Sequence, residues 1–143
     1  MFDFLSKRHE HCHANFENVQ YAMKHRDQFM LINTLPLDSQ KCLIKGTVLA
    51  SDEEKLINEM VYNIHITDKK IIVYGKNDSD ITVQTKYDQL LGLGIECVYK
   101  YNGGMFEWLL LQDIYGSDEF LTTSTELDIL QFRPTAISHY LSY

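Results

Sequence analysis

The sequence predicts an α/β domain built on a central, mostly parallel sheet flanked by helices, with a C-terminal extension. Two observations carry this expectation. Short apolar runs rich in β-branched residues alternate along the chain with segments whose apolar residues recur at helical spacing. The runs also lack a polar face, as expected of strands covered on both sides. Strands alternating with helices imply right-handed crossovers and place a ligand site at the carboxyl ends of the strands.

Each element follows in order. After Asn15, the residues Phe16, Val19, Ala22 and Met23 share one helical face, and Phe29-Met30-Leu31-Ile32 reads as a short buried strand. An irregular stretch through Pro36, Asp38 and Ser39 leads to Cys42-Leu43-Ile44, a loop or second short strand, and to a turn at Gly46. Ser51 and Glu54 form a possible capping box, and Leu56, Ile57, Met60 and Val61 behind it predict a helix from about Asp52 to Tyr62. Lys70-Ile71-Ile72-Val73-Tyr74 has the composition of a central parallel strand and stops at Gly75. A turn through Asp80 follows. Val83, Tyr87, Leu90, Leu91 and the terminating Gly94 predict the next helix, and Ile95 to Tyr101 the next strand. Gly103-Gly104 ends that strand, and Met105 to Tyr115 reads as a helix apolar around its circumference. In the extension, Thr123 and Glu126 suggest a capping box before Leu127, Ile129 and Leu130, hence one more helix. The chain closes with Phe132-Arg133-Pro134 and a tyrosine-rich tail through Tyr140 and Tyr143.

Composition narrows the function classes. The 143 residues, 45% of them hydrophobic and 12% aromatic, suffice for one packed core, and no repeat or linker divides them. Residues 1–14 read as an N-terminal arm, 15–116 as the domain and 117–143 as an extension packed on it. A net charge of -7 disfavours nucleic acid as a partner, because its phosphates would be repelled. No apolar run is long enough for a membrane span, and the N-terminus lacks a signal core. Three cysteines, Cys12, Cys42 and Cys97, fit free thiols in a reducing compartment, so a soluble, intracellular protein is expected.

The succession IIVYG, turn, helix ending LLGLG, strand ECVYKY and then GGMFEW resembles the C-terminal half of a rhodanese-like domain. Gly103, Gly104 and Trp108 match its GG-x-x-x-W landmark. Upstream, Leu31-Ile32-Asn33 resembles the family strand that usually ends in aspartate, and Ile44-Lys45-Gly46-Thr47 its Ile-Pro-Gly-Ala turn. The resemblance runs from about Asn15 to Gly116. It extends to rhodanese-like open reading frames of large DNA viruses.

That resemblance implies a catalytic cysteine at position 75, where this chain has glycine. Glycine has no nucleophile for sulfur or phosphoryl transfer. The usual loop arginine is also missing, and Asp78 and Asp80 bring negative charge where an anionic substrate would sit. The candidate binding loop is therefore Gly75, Lys76, Asn77, Asp78, Ser79 and Asp80, without catalytic residues or a cofactor.

Other groups carry paired readings. Asp78, Ser79 and Asp80 read as caps of the following helix, or as ligands of a small cation or basic side chain. Cys97 and Cys42 read as small buried hydrophobes, with Cys42 the alternative sulfur carrier. His9, His11, Cys12 and His13 form a metal-like cluster in spacing only, and a solvated arm is the plainer reading, so no metal site is assigned. The helix with Phe106, Trp108 and Leu109 needs cover beyond the sheet, either from the extension through Phe120, Leu127, Ile129, Leu130 and Phe132 or from a partner.

Together these readings point to a catalytically inactive rhodanese-like module that acts as a protein-binding or regulatory domain, through a protein partner or self-association. A sulfurtransferase using Cys42 and a structural component of a larger, viral assembly are the alternatives.

Overall fold

The computed structural model describes residues 12–63 and 69–135. Within them the chain forms strands β1 (His13–Ala14), β2 (Phe29–Asn33), β3 (Lys70–Tyr74) and β4 (Val98–Tyr101). Four α-helices accompany them: α1 (Phe16–Lys24), α2 (Ala50–Tyr62), α3 (Ile81–Gly92) and α4 (Gly104–Tyr115). The strands make one parallel sheet in the order β1-β4-β3-β2, with Ile71 to Tyr74 paired to Val98 to Tyr101 and Phe29 to Asn33 paired to Lys70 to Tyr74. A parallel bridge from Leu31 to Thr47 continues the sheet outside β2.

Alternate residues of each strand feed two separate cores, which makes the fold a three-layer α/β structure. Leu31, Ile72, Tyr74 and Tyr101 face one side, against Val19 and Ala22 of α1, Met105, Trp108 and Leu109 of α4, and Phe120 and Phe132 of the extension. Met30, Ile32, Ile71, Val73 and Val98 face the other, against Ile57 and Met60 of α2 and Val83, Tyr87 and Leu90 of α3. An ion pair between Lys86 and Glu53, 2.6 Å apart, ties the two helices of that second side together. Buried Lys100 is satisfied there by Gln84 Oε1 at 2.7 Å and by the Tyr87 ring, 4.8 Å from its ammonium.

Several local expectations need correction. The helix over Ala50–Tyr62 is capped at Leu49 without a side-chain bond, so the Ser51–Glu54 box does not start it; both residues lie inside the helix. The strand expected from Ile95 begins only at Val98. Consequently Cys97 lies in the preceding irregular segment and is exposed, not buried. The Thr123–Glu126 box starts no helix either; that segment is irregular until a short 3-10 turn at Ile129–Phe132.

The arm expected over residues 1–14 is integrated at its end. Cys12 is buried, and His13–Ala14 form the edge strand, where Asn102 Nδ2 lies 2.7 Å from His13 Nδ1. His9 and His11 of the proposed cluster, and Tyr140 and Tyr143 of the tail, lie outside the described residues. Among the described residues no helix is long and apolar enough to cross a membrane.

Residues 117–135 of the extension pack on the domain through Phe120, Ile129 and Phe132, whereas Leu127 and Leu130, also expected as cover, are exposed. Leu43 and Ile44 pair with residues Leu121 to Thr123, through Lys45 N–H donating to Leu121 O at 3.1 Å and Thr123 N–H to Leu43 O at 2.8 Å. Trp108 Nε1 donates to Leu121 O at 3.1 Å, and Gln112 Nε2 to Phe120 O at 2.7 Å. Trp108 and Leu109 are therefore core residues covered by Phe120 and Phe132, and neither offers an interaction surface. Phe106 is half-buried against the same core.

Candidate functional site

The loop Gly75–Asp80 leaves the carboxyl end of β3, where the topology opens a site between two helices. Its base is rigid. Tyr74, at the strand end, is fully buried, with its hydroxyl 2.7 Å from Thr47 Oγ1 and accepting from Ile44 N–H at 3.2 Å. Burial pushes this phenol far above its ordinary range, so it stays protonated and structural.

Gly75 is held from two sides. Its carbonyl accepts from Met105 N–H at 3.0 Å, and the Lys76 carbonyl accepts from Phe106 N–H at 2.9 Å, so the first turn of α4 clasps the loop. Gly104 makes the approach possible. It has φ +62°, and a side chain there would place Cβ 2.6 Å from Gly75 O and 2.9 Å from Asn77 N. This is why glycine stands at position 104, the first residue of α4: the loop backbone passes directly over it.

The interior of the loop is occupied by Asp80. Its Oδ2 accepts from Lys76 N–H at 2.9 Å, while Oδ1 accepts from Thr82 N–H at 3.1 Å and from Thr82 Oγ1 at 2.6 Å. One carboxylate thus closes the loop and caps α3. A Cβ on Gly75 would overlap Asp80 Oδ2 and lie 2.8 Å from Thr34 Oγ1 and from Val83 Cγ2. The position at which the resemblance puts a thiol is therefore filled by the chain's own anion.

The reading that Asp78 and Asp80 both face an incoming substrate needs correction. Asp80 turns inward to the amides, and Asp78 sits on the exposed turn, where Ser79 Oγ donates to its Oδ1 at 3.4 Å. Their capping role holds for Asp80 alone. Asn77, unremarkable in sequence, is the buried anchor: its Oδ1 accepts from Ser79 N–H at 2.9 Å and its Nδ2 donates to Phe132 O at 2.8 Å. Loop and extension are joined at that bond.

A cleft of about 480 Å³ lies over the joint. Lys76, Ser79, Asp80 and Ile81 line it from the loop side, and Gln131 and Arg133 from the extension. Arg133 arrives at the cleft from far along the chain, which local sequence patterns could not signal. Arg133 Nη1 donates to Leu130 O at 2.8 Å.

The thiols lie elsewhere. Cys42 is buried beneath the extension, with its Sγ donating to Ser124 O at 3.3 Å. Cys97 precedes β4 and accepts from Ile71 N–H through its carbonyl. That is the opposite end of β3 from Gly75, about 13 Å away at the usual rise per strand residue.

No known family's sequence profile matches the chain, and no curated protein matches it. Among solved structures it is similar to a protein from Lactobacillus plantarum, with 21% identity and a TM-score of 0.57 over 78% of this chain and 92% of that one. A full-length protein of the same organism matches with 16% identity and a TM-score of 0.52 over 78% and 91%. A protein from Bacillus halodurans matches with 15% identity and a TM-score of 0.58 over 80% and 79%. At these identities the likeness establishes the α/β fold and nothing more.

Proposed function

We propose that this chain is a catalytically inactive rhodanese-like module that works by binding protein, in a soluble, intracellular setting. The observation that carries the proposal is the loop after β3. Glycine stands where a thiol would be needed, and the Asp80 carboxylate occupies the space that a cysteine side chain and its anionic substrate would share. The amides that would stabilise a substrate anion, Lys76 in the loop and Thr82 in the first turn of α3, are already engaged by that carboxylate.

Two further features support a binding role. The extension, outside the stretch that carries the family resemblance, is fastened onto the loop by the Asn77 to Phe132 bond. Apolar side chains also remain on the surface near it, among them Ile81 at 79% exposure and Leu130 at 60%. A sulfurtransferase built on Cys42 would have to lift the extension to free that thiol.

Sulfur transfer from thiosulfate to cyanide, measured on the purified chain and on Cys42→Ser, tests the proposal. The expected result is no transfer above a protein-free control in either sample. Transfer by the parent chain that disappears in Cys42→Ser overturns the proposal and makes Cys42 the carrier.

A further inference from the structure

We propose that the cleft between the loop and the extension is a docking site for an acidic peptide segment of a partner protein, with Arg133 and Lys76 pairing its carboxylates. This inference rests on the binding-module reading and gives it a ligand chemistry.

The first argument is charge. The chain carries -7 overall, yet this cleft is lined by two cations and a single acid, Asp80. That carboxylate is committed to the Lys76 and Thr82 amides and to the Thr82 hydroxyl. Among the described residues neither Lys76 nor Arg133 has a carboxylate within ion-pair distance. The nearby Asp78 does not line the cleft. The field inside therefore favours an anion, against the sign of the rest of the surface.

The second argument is preorganisation. Arg133 follows Phe132, which is 3% exposed and whose carbonyl is held by Asn77. One guanidinium nitrogen is fixed on Leu130 O, which leaves other N–H groups of a planar fork to receive a carboxylate in two-point fashion. The anchored backbone and that bond set where the guanidinium stands before a ligand arrives.

The third argument is shape. Ile81, in the first turn of α3, leaves an apolar side chain exposed at the cleft wall, and Pro134 stands among the residues facing it. A bare inorganic anion would make no use of them, whereas an apolar residue next to an acidic one would cover both. A volume of about 480 Å³ lies within the range of roughly 300–1,000 Å³ that seats small ligands.

The test is an amide chemical-shift titration of the full chain with three probes: acetyl-Asp-Glu-Leu-Leu-amide, acetyl-Lys-Lys-Leu-Leu-amide and inorganic phosphate. The acidic peptide should give saturable shifts at residues 76–81, at 131–133 and at Thr135, and the basic peptide none. Arg133→Gln, with its spectrum otherwise unchanged, should weaken the acidic peptide by about tenfold, the scale of one charge-assisted pair. Arg133→Lys should recover only part of that loss, because an ammonium lacks the fork.

The inference is overturned by no saturable shift with the acidic peptide, by equal affinity for the basic peptide, or by an unchanged affinity in Arg133→Gln. Phosphate binding as tightly as the acidic peptide would make this a small-anion site and also overturn it. Thiosulfate sulfur transfer measured on the same sample separates the two proposals. Transfer sinks the binding-module reading, whereas silence without peptide shifts sinks the docking site alone.

Discussion

Adding one methyl group at Gly75 tests whether the loop is filled from within. The Cβ of Gly75→Ala overlaps Asp80 Oδ2 and crowds Thr34 and Val83, so the carboxylate must swing out or the strand end must move. If it swings out, α3 loses its cap, a change that costs about 0.5–2 kcal/mol. If it stays, overpacking costs about 1–3 kcal/mol. Because the chain takes the cheaper escape, the substitution should destabilise the fold by about 1–2 kcal/mol. Asp80→Ser retains a capping oxygen but loses the Lys76 amide bond, which should cost about 1 kcal/mol. In the double variant the overlap with Oδ2 is gone, so its cost should fall short of the sum of the two by about 1 kcal/mol or more. Urea unfolding followed by the fluorescence of Trp108, the one tryptophan of the chain and fully buried, measures all four proteins. Gly75→Ala within about 0.5 kcal/mol of the parent, or an additive cycle, refutes the reasoning. The same geometry predicts that Gly75→Cys alone stays inert, since the new thiol would share its space with an anion.

Three other outcomes follow from the packing. Asn77→Ala removes the bond to Phe132 and should cost about 1–3 kcal/mol, with faster amide exchange in residues 129–133 but not in β3. A thiol reagent should modify Cys97 at once and Cys12 and Cys42 only in denaturant, because only the first is exposed. Burial raises the phenols of Tyr74 and Tyr101 well above their ordinary value of 10.0, and the Glu107 carboxylate, which accepts from Tyr101 Oη at 3.1 Å, adds to the second. The unfolded chain then releases protons that the folded chain retains. Stability should be level up to pH 10 and fall above it by about 1.4 kcal/mol per pH unit for each phenol. Urea midpoints measured from pH 8 to 11 would show this fall, and a flat profile would contradict it.

What the sequence made legible was whatever depends on neighbours along the chain. The runs Phe29–Asn33 and Lys70–Tyr74 read as buried strands because both of their faces are apolar, and the two cores fall on alternate residues of each. Asp80 reads as a cap and is one, since it reaches the Thr82 amide two residues ahead, whereas the Asn15 cap of α1 was not read from the sequence. Ser51 and Thr123 match a cap pattern equally well and are not caps. At the first, helix α2 has already begun at Ala50. At the second, Thr123 Oγ1 accepts from Leu43 N–H, so tertiary pairing took the side chain. Cys97 misled because its apolar neighbours, Ile95 and Val98, are buried while it lies on the opposite side of an irregular segment. That position 75 has no side chain was visible in one letter, but the inward Asp80 carboxylate beside it was not, nor was Arg133 at the cleft. Both depend on how the chain folds back on itself.

The extension's position has a consequence for the order in which the molecule can complete itself. Leu43 awaits Thr123, 80 positions later, and Asn77 awaits Phe132, 55 positions later. On a ribosome adding ~5–20 residues per second, Leu43 would emerge about 4–16 s before its cover exists. During that interval the side of the sheet that will bury Trp108 is open, and long-range pairings of this kind slow folding further. Until residues 120–132 are made, that apolar side of the sheet stays uncovered, and the closing of the core waits on them.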